Sequence, residues 1–338
     1  MKGALLFLLV SVVAMLIVVA QFSGAGDLAG AFLSVKPEYI LVIVALQFVM
    51  LAVYGERWRL LMGCTGLGCS RKLVMKYVFI GSAFNNITPM VRFGGEPFKA
   101  MLLAKELSVK KRQVLASVTA DSFVTAVSLL LLIFFGLIGL LAFSILSPVM
   151  VYGIGALLVF LLALSLYVFY RRSLLASAAL AISRLVSRFS PGRGKKVEGT
   201  LLAVREGLGK TVKRGVMAKA LSLALAERVL ETVSMYLVLL SLGVNLSLYS
   251  CAMVLGVGII FGLIPLLPGG LVAYEYSSMV VLRLMGASPA VAGTSILIYR
   301  GVNYWLVTAI GLSLSWLSGI RLAFRDGTGI LHILRRRF

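Results

Sequence analysis

Two short stretches, Asn85–Glu96 (NNITPMVRFGGE) and Pro265–Glu275 (PLLPGGLVAYE), hold the residues whose types and spacing suit chemistry. Each combines proline, a Gly-Gly pair and a glutamate. Gly94 and Gly95 allow the backbone to approach a ligand closely. Pro97 suits the first position of a helix, and a helix start left open in this way binds anions. Arg92 adds a full charge with a fork that matches phosphate, so the chemistry is the holding of an anionic headgroup. Glu96 has two readings: a capping carboxylate paired with Arg92, or a ligand for a cationic group such as an aminoacyl ammonium. Asn85 and Asn86 suit either capping of the entering helix or donation to a ligand. The second stretch repeats the pattern with Pro265, Pro268, Gly269, Gly270 and Glu275, but its loop has no arginine. Arg300, further along, is the candidate to supply that charge.

Other chemistries lack their tools. The only histidine, His332, lies in a basic tail, which gives no support to histidine acid/base or metal chemistry. Cys64, Cys69 and Cys251 lack the further ligands that a zinc site needs and read as packing residues. No catalytic residue, metal or cofactor is expected, and no phosphate-binding GxxxxGK[ST] sequence occurs.

The elements that must position these residues are membrane helices. Of 338 residues, 60% are apolar and 13% charged, and mean hydropathy is +1.03. Soluble domains carry about 25% charged residues. Runs such as Ile40–Ala52 and Val149–Phe169 sit within stretches long enough to cross a bilayer, which takes roughly 20 residues. The first run, Leu5–Ala20, is followed by Gln21-Phe22-Ser23-Gly24-Ala25, which also resembles a cleavage site; we read it as the first span. The net charge of +21 sorts by loop, which is the positive-inside pattern and not a nucleic-acid face. Basic clusters at Arg57–Lys76, Lys99–Arg112, Arg171–Lys219 and Arg321–Arg337 are expected in the cytoplasm.

The threading that keeps all four clusters inside has cytoplasmic N- and C-termini in a multi-pass cell-membrane protein. Spans cover about 4–22, 39–62, 113–143, 148–170, 217–243 and 289–320. Segments 73–107 and 249–286 must each begin and end on one side, from opposite faces, and are expected as re-entrant hairpins. Gly94-Gly95 and Gly269-Gly270 lie 175 residues apart, and each half reads as span, broken hairpin, span. The expected fold is therefore an all-α polytopic bundle of about six full spans and two re-entrant hairpins in an inverted internal repeat. It forms one domain: first span and outer loop (1–38), repeat one (39–145), linking span (146–170), basic amphipathic loop (171–216), repeat two (217–322) and basic tail (323–338). Inverted repeats of this kind place a binding site near the bilayer midplane.

Ionisable residues inside spans default to paired or functional roles, which marks Asp121, Glu227, Arg228, Glu231 and Arg300. Glu227 and Glu231 lie one turn apart on one face, and Arg228 can neutralise either. In the basic loop, Leu174, Leu175, Ala178, Ile182, Leu185, Val186 and Phe189 follow a helical period, so a helix lying on an anionic lipid surface is expected there.

At NNITPMVRFGGEPFKAMLLAKELSVKKRQVLASV, IPLLPGGLVAYE and ILIYRGVNYW, the chain resembles the flippase-like transmembrane region of lysylphosphatidylglycerol synthases, over roughly residues 1–325. The resemblance implies movement of an aminoacylated or otherwise anionic phospholipid, or a prenyl-linked lipid, between leaflets. It points to Asn86, Pro89, Arg92, Gly95, Glu96, Pro268, Gly269, Gly270, Glu275 and Arg300. Where it implies an acid-arginine pair on the third span, this chain has Asp121 followed by Ser122. The synthase's soluble aminoacyl-transfer domain is expected to be absent, leaving substrate supply to a separate lipid synthase. The rival expectations are an integral-membrane lipid-modifying transferase and a non-transporting accessory of a lipid-synthesis complex.

Overall fold

The computed structural model describes residues 2–87, 95–142, 147–170, 214–263 and 270–318, and the described residues contain helices and no strand. In chain order these are α1 (Lys2–Ser23), α2 (Ala25–Leu33), α3 (Pro37–Cys64), α4 (Arg71–Ile87), α5 (Gly95–Glu106), α6 (Lys111–Ala142) and α7 (Pro148–Tyr170). Then follow α8 (Arg214–Ser241), α9 (Leu248–Gly262), α10 (Ala273–Leu284), α11 (Pro289–Arg300), a π-helical segment (Gly301–Leu306) and α12 (Val307–Leu317).

Local sequence explains where several of these begin. Pro37 and Pro289 open α3 and α11 at positions where a missing N–H costs nothing. Ser247 and Ser288 cap α9 and α11, each side-chain oxygen accepting an amide three residues on. Helices α3 and α6 are long and apolar enough to cross a membrane. The stretch between the first two apolar runs, expected as an outer loop, instead holds α2, bent 91° from α1. Helix α8 begins at Arg214, just inside the boundary expected for the basic loop; residues 171–213 and the tail from 319 lie outside the described residues.

Both interrupted segments consist of two short arms. Helices α4 and α5 have 17 and 12 residues, about 26 and 18 Å at 1.5 Å per residue. Helices α9 and α10 have 15 and 12, about 22 and 18 Å by the same rise. All fall short of the roughly 30 Å hydrocarbon thickness. In contrast, Pro289–Leu317 runs on through the π segment without a non-helical break.

The arms pack in an exchanged pattern. Helix α4 lies against α5, α3 and α12, while α9 lies against α10, α8 and α6. The first arm of each pair thus rests on a helix distant in sequence, α4 on α12 and α9 on α6. Each hairpin has its own apolar surroundings: Trp58, Ile80, Leu103 and Val118 around the first, Ile133, Leu255, Met279 and Ile296 around the second.

Polarity is inverted relative to a water-soluble protein. Large apolar side chains face outward on α1 and α7, including Leu9, Ile17, Val149, Tyr152 and Phe160, whereas Arg57, Lys99, Asp121, Glu275 and Arg300 are buried. Paired charges inside and hydrocarbon outside is the arrangement a lipid solvent selects.

Candidate functional site

The first hairpin holds its return helix through Asn85. On the last turn of α4, its Oδ1 accepts the Gly95 N–H at 2.8 Å and its Nδ2 donates to Glu96 Oε1 at 3.2 Å. One of the four free amides at the start of α5 is thereby satisfied. Asn85 caps the returning helix, not the entering one. Gly95 permits the approach, since a Cβ there would sit 2.6 Å from the Asn85 amide and nearer still to the Gly81 carbonyl.

Glu96 is neutralised from within its own helix. Lys99 Nζ lies 2.6 Å from Glu96 Oε2, one turn along. Its fully buried ammonium sits over the rings of Tyr54 (4.7 Å) and Trp58 (4.4 Å) and donates to the Tyr54 hydroxyl, which in turn donates to Glu96 Oε1 at 3.1 Å. The lysine stem runs across Gly81. Lys99 was expected among the cytoplasmic basic cluster; the face of α5 that carries it instead turns into the protein. Pro97 is the third residue of α5, still in the turn whose amides need no intrahelical partner.

The second hairpin uses a cation from outside itself. Gly270, at φ +71, lies against Gly262 at the end of α9, where a Cβ would meet the Gly262 carbonyl at 2.5 Å. Glu275, in the first turn of α10, is wholly buried, and Arg300 Nε donates to its Oε1 at 2.5 Å. The guanidinium sits 4.6 Å from the Tyr274 ring centre and 4.2 Å from that of Tyr304. Both hairpins therefore begin their return helix with a carboxylate joined to a buried cation lying over two aromatic rings. Asn86 bonds instead to the segment that follows Arg300. Its Nδ2 donates to the Tyr304 carbonyl (3.3 Å) and Thr308 Oγ1 (2.8 Å), and its own carbonyl accepts the Tyr304 hydroxyl at 2.7 Å.

Of the expected intramembrane charges, Asp121, Glu227, Arg228 and Glu231 join one network, while Arg300 pairs with Glu275. Arg57 of α3 bonds Asp121 of α6 at 2.8 Å, Glu227 of α8 at 2.7 Å and Thr125 at 3.0 Å. Arg228 then meets Glu227 at 3.1 Å and Glu231 at 2.5 Å, so it serves both acids. The partner of Asp121 comes from the second span and not from its own. Arg57, counted among the cytoplasmic charges, is 1% exposed. Positive-inside counting missed it because Arg57 and Arg59 look alike in sequence, and only the helical face separates the buried one from the one on half-buried Glu56.

Of the expected binding residues, Asn85, Asn86, Gly95, Glu96, Gly270, Glu275 and Arg300 are placed as above; Pro89, Arg92, Gly94, Pro268 and Gly269 lie outside the described residues, as does Pro265. Lys99, Arg57, Tyr54, Trp58 and Tyr304 were not singled out. For Lys99 a signal existed, since Glu96 and Lys99 have the spacing that pairs side chains on a helix. Beside the start of α10, a groove of about 480 Å³ is lined by Val18, Gln21, Phe22, Leu271, Ala273 and Tyr276.

Among known proteins, the chain is 26% identical over 322 residues to a UPF0104 membrane protein of Methanothermobacter thermautotrophicus, covering 92% of this chain and 94% of that protein. It is 23% identical to a UPF0104 membrane protein of Methanocaldococcus jannaschii, covering 88% and 89%, and 24% identical to one of Pyrococcus horikoshii, covering 81% and 85%. Residues 4–311 match the family model described as the lysylphosphatidylglycerol synthase TM region. With apolar helices outside, buried ion pairs inside and this match across most of its length, the chain is a membrane protein that belongs to the lysylphosphatidylglycerol synthase TM-region family.

Proposed function

We propose that this protein is a carrier, not an enzyme, that moves a lipid with an anionic headgroup between leaflets. In this reading six spans surround two re-entrant hairpins entering from opposite faces in an inverted repeat. The observation that carries it is the exchanged packing of the hairpins: α4 on α12 and α9 on α6. A two-fold relation between the halves would produce this exchange. It would set both broken segments between the halves, where irregular backbone lines a cavity and is shielded from lipid.

The headgroup phosphate sits between the two return-helix starts and is drawn by Arg92 and Arg300. Arg300 already holds Glu275 at 2.5 Å. Freeing a buried pair of this kind without replacement costs about 3–5 kcal/mol. The arriving phosphate therefore joins Glu275 on the Arg300 guanidinium and does not displace it, so the buried carboxylate keeps its partner. Acyl chains remain in lipid. The basic loop rests on anionic lipid at the cytoplasmic face, with both termini on that side, and a separate synthase supplies the substrate.

The test is a proteoliposome assay with fluorescent phospholipids of different headgroup, on wild type and Arg92→Ala. Faster leaflet exchange of anionic lipids by wild type, reduced in the variant, is expected. No movement of any lipid would refute transport and return attention to the accessory reading.

A further inference from the structure

The segment ILIYRGVNYW contributes more than Arg300. Its Tyr304 lies in the π-helical stretch Gly301–Leu306, between α11 and α12, and touches both the first hairpin and the cation that holds the second. On one side its ring lies 4.2 Å from the Arg300 guanidinium, whose Nε holds Glu275 at the start of α10. On the other its hydroxyl donates to the Asn86 carbonyl at 2.7 Å, and its own carbonyl accepts from Asn86 Nδ2 at 3.3 Å. Asn86 belongs to the last turn of α4, where carbonyls lack intrahelical partners. Tyr304 supplies one.

Resting on the carrier reading above, we infer that Tyr304 is the positioning residue through which the state of the Glu275–Arg300 pair in the second hairpin is passed to the first. Three features support this assignment. The contact to Asn86 has two points, so it fixes orientation as well as distance. The π turn widens the helix over Gly301–Leu306, the stretch that carries this residue, and such turns occur mainly as local insertions at functional sites. The Tyr304 carbonyl also accepts from Thr308 Oγ1 at 2.6 Å, and Asn86 Nδ2 reaches the same hydroxyl at 2.8 Å, so Asn86, Tyr304 and Thr308 close a small ring of hydrogen bonds. The first hairpin's own pair, Glu96–Lys99, lies within one helix and, among the described residues, has no comparable tie to the second. Information thus runs from the interhelix pair, through Tyr304, to Asn86.

Hydrogen exchange on the purified full chain in lipid nanodiscs tests this without using transport. Glu275→Gln loosens Arg300 and is expected to speed exchange of the second hairpin's amides in every background. In the wild-type background it also speeds exchange at the end of α4 about fivefold, the factor carried by one neutral hydrogen bond. Tyr304→Phe keeps the ring over Arg300 but removes the hydroxyl, and in that background Glu275→Gln should speed exchange at the end of α4 markedly less, through the remaining Asn86 Nδ2–Tyr304 carbonyl contact alone. Asn86→Ala cuts the side-chain part of the same link from its other end and should weaken the response likewise. An equal response at α4 in all backgrounds, or none in the wild-type background, overturns the inference. Failure of lipid movement in liposomes with the coupling intact would refute the carrier reading alone.

Discussion

Arg57 allows the sharpest quantitative test. Its guanidinium is 1% exposed and serves two acids, Asp121 at 2.8 Å and Glu227 at 2.7 Å. Replacing it with methionine keeps most of the apolar volume and removes the charge. Glu227 retains Arg228 at 3.1 Å, but Asp121, with a side chain 3% exposed, has no other ion pair among the described residues. Stranding a buried charge by deleting its partner costs about 3–5 kcal/mol, so Arg57→Met should lose stability on that scale. Removing the acid as well, in Arg57→Met/Asp121→Leu, should recover most of the loss, because apolar replacement of a whole buried pair is often neutral. Arg59→Ala is the internal control: its bridge to Glu56 is 41% and 34% exposed, and such pairs contribute about 0.2–1 kcal/mol. Equilibrium unfolding in mixed micelles, followed by tryptophan fluorescence, measures all three. Arg57→Met unfolding with the Arg59→Ala variant would refute the reasoning, as would a double variant no better than the single.

Two further outcomes follow from local geometry. Gly270→Ala forces a side chain at φ +71 and against the Gly262 carbonyl; a loss of about 1–3 kcal/mol is expected from overpacking alone, read in the same unfolding assay, and an unchanged midpoint would contradict the close approach of Gly270 to the end of α9. Burial raises the thiol pKa of Cys69, in the α3–α4 connection, with the Glu106 carboxylate adding to the effect. Since the thiolate is the reactive form, maleimide labelling of Cys69 in a Cys64→Ser/Cys251→Ser background should be slower at neutral pH than that of a free thiol. The difference should close as pH rises, and a rate equal to that of the free thiol throughout would contradict it.

Much of the architecture was legible because its causes are local. The apolar run expected at 39–62 is α3, Pro37–Cys64, and that at 113–143 is α6, Lys111–Ala142. Proline and glycine interrupt helices through their own backbone chemistry, so both breaks could be located from residue types. The pairing of Glu227, Arg228 and Glu231 was also visible, since their spacing along one helix largely sets who meets whom. Asn85 was marked without its role, because nothing local says that its partner is the Gly95 amide across the break.

The amino-acid sequence by itself determined that the chain lives in lipid, where its long helices run and where two of them break, because hydropathy and backbone preference act over a few neighbouring residues. Only tertiary structure decided which charges are buried and with whom. Arg57 and Lys99 read as cytoplasmic in a count along the chain, yet α3 and α5 turn those faces toward Asp121, Glu227 and Glu96. Tyr304 is one tyrosine among twelve until packing of α12 on α4 sets it between Asn86 and Arg300. A charge in low dielectric must find a partner, and the partner's identity is a property of helix faces in contact, which no single segment encodes.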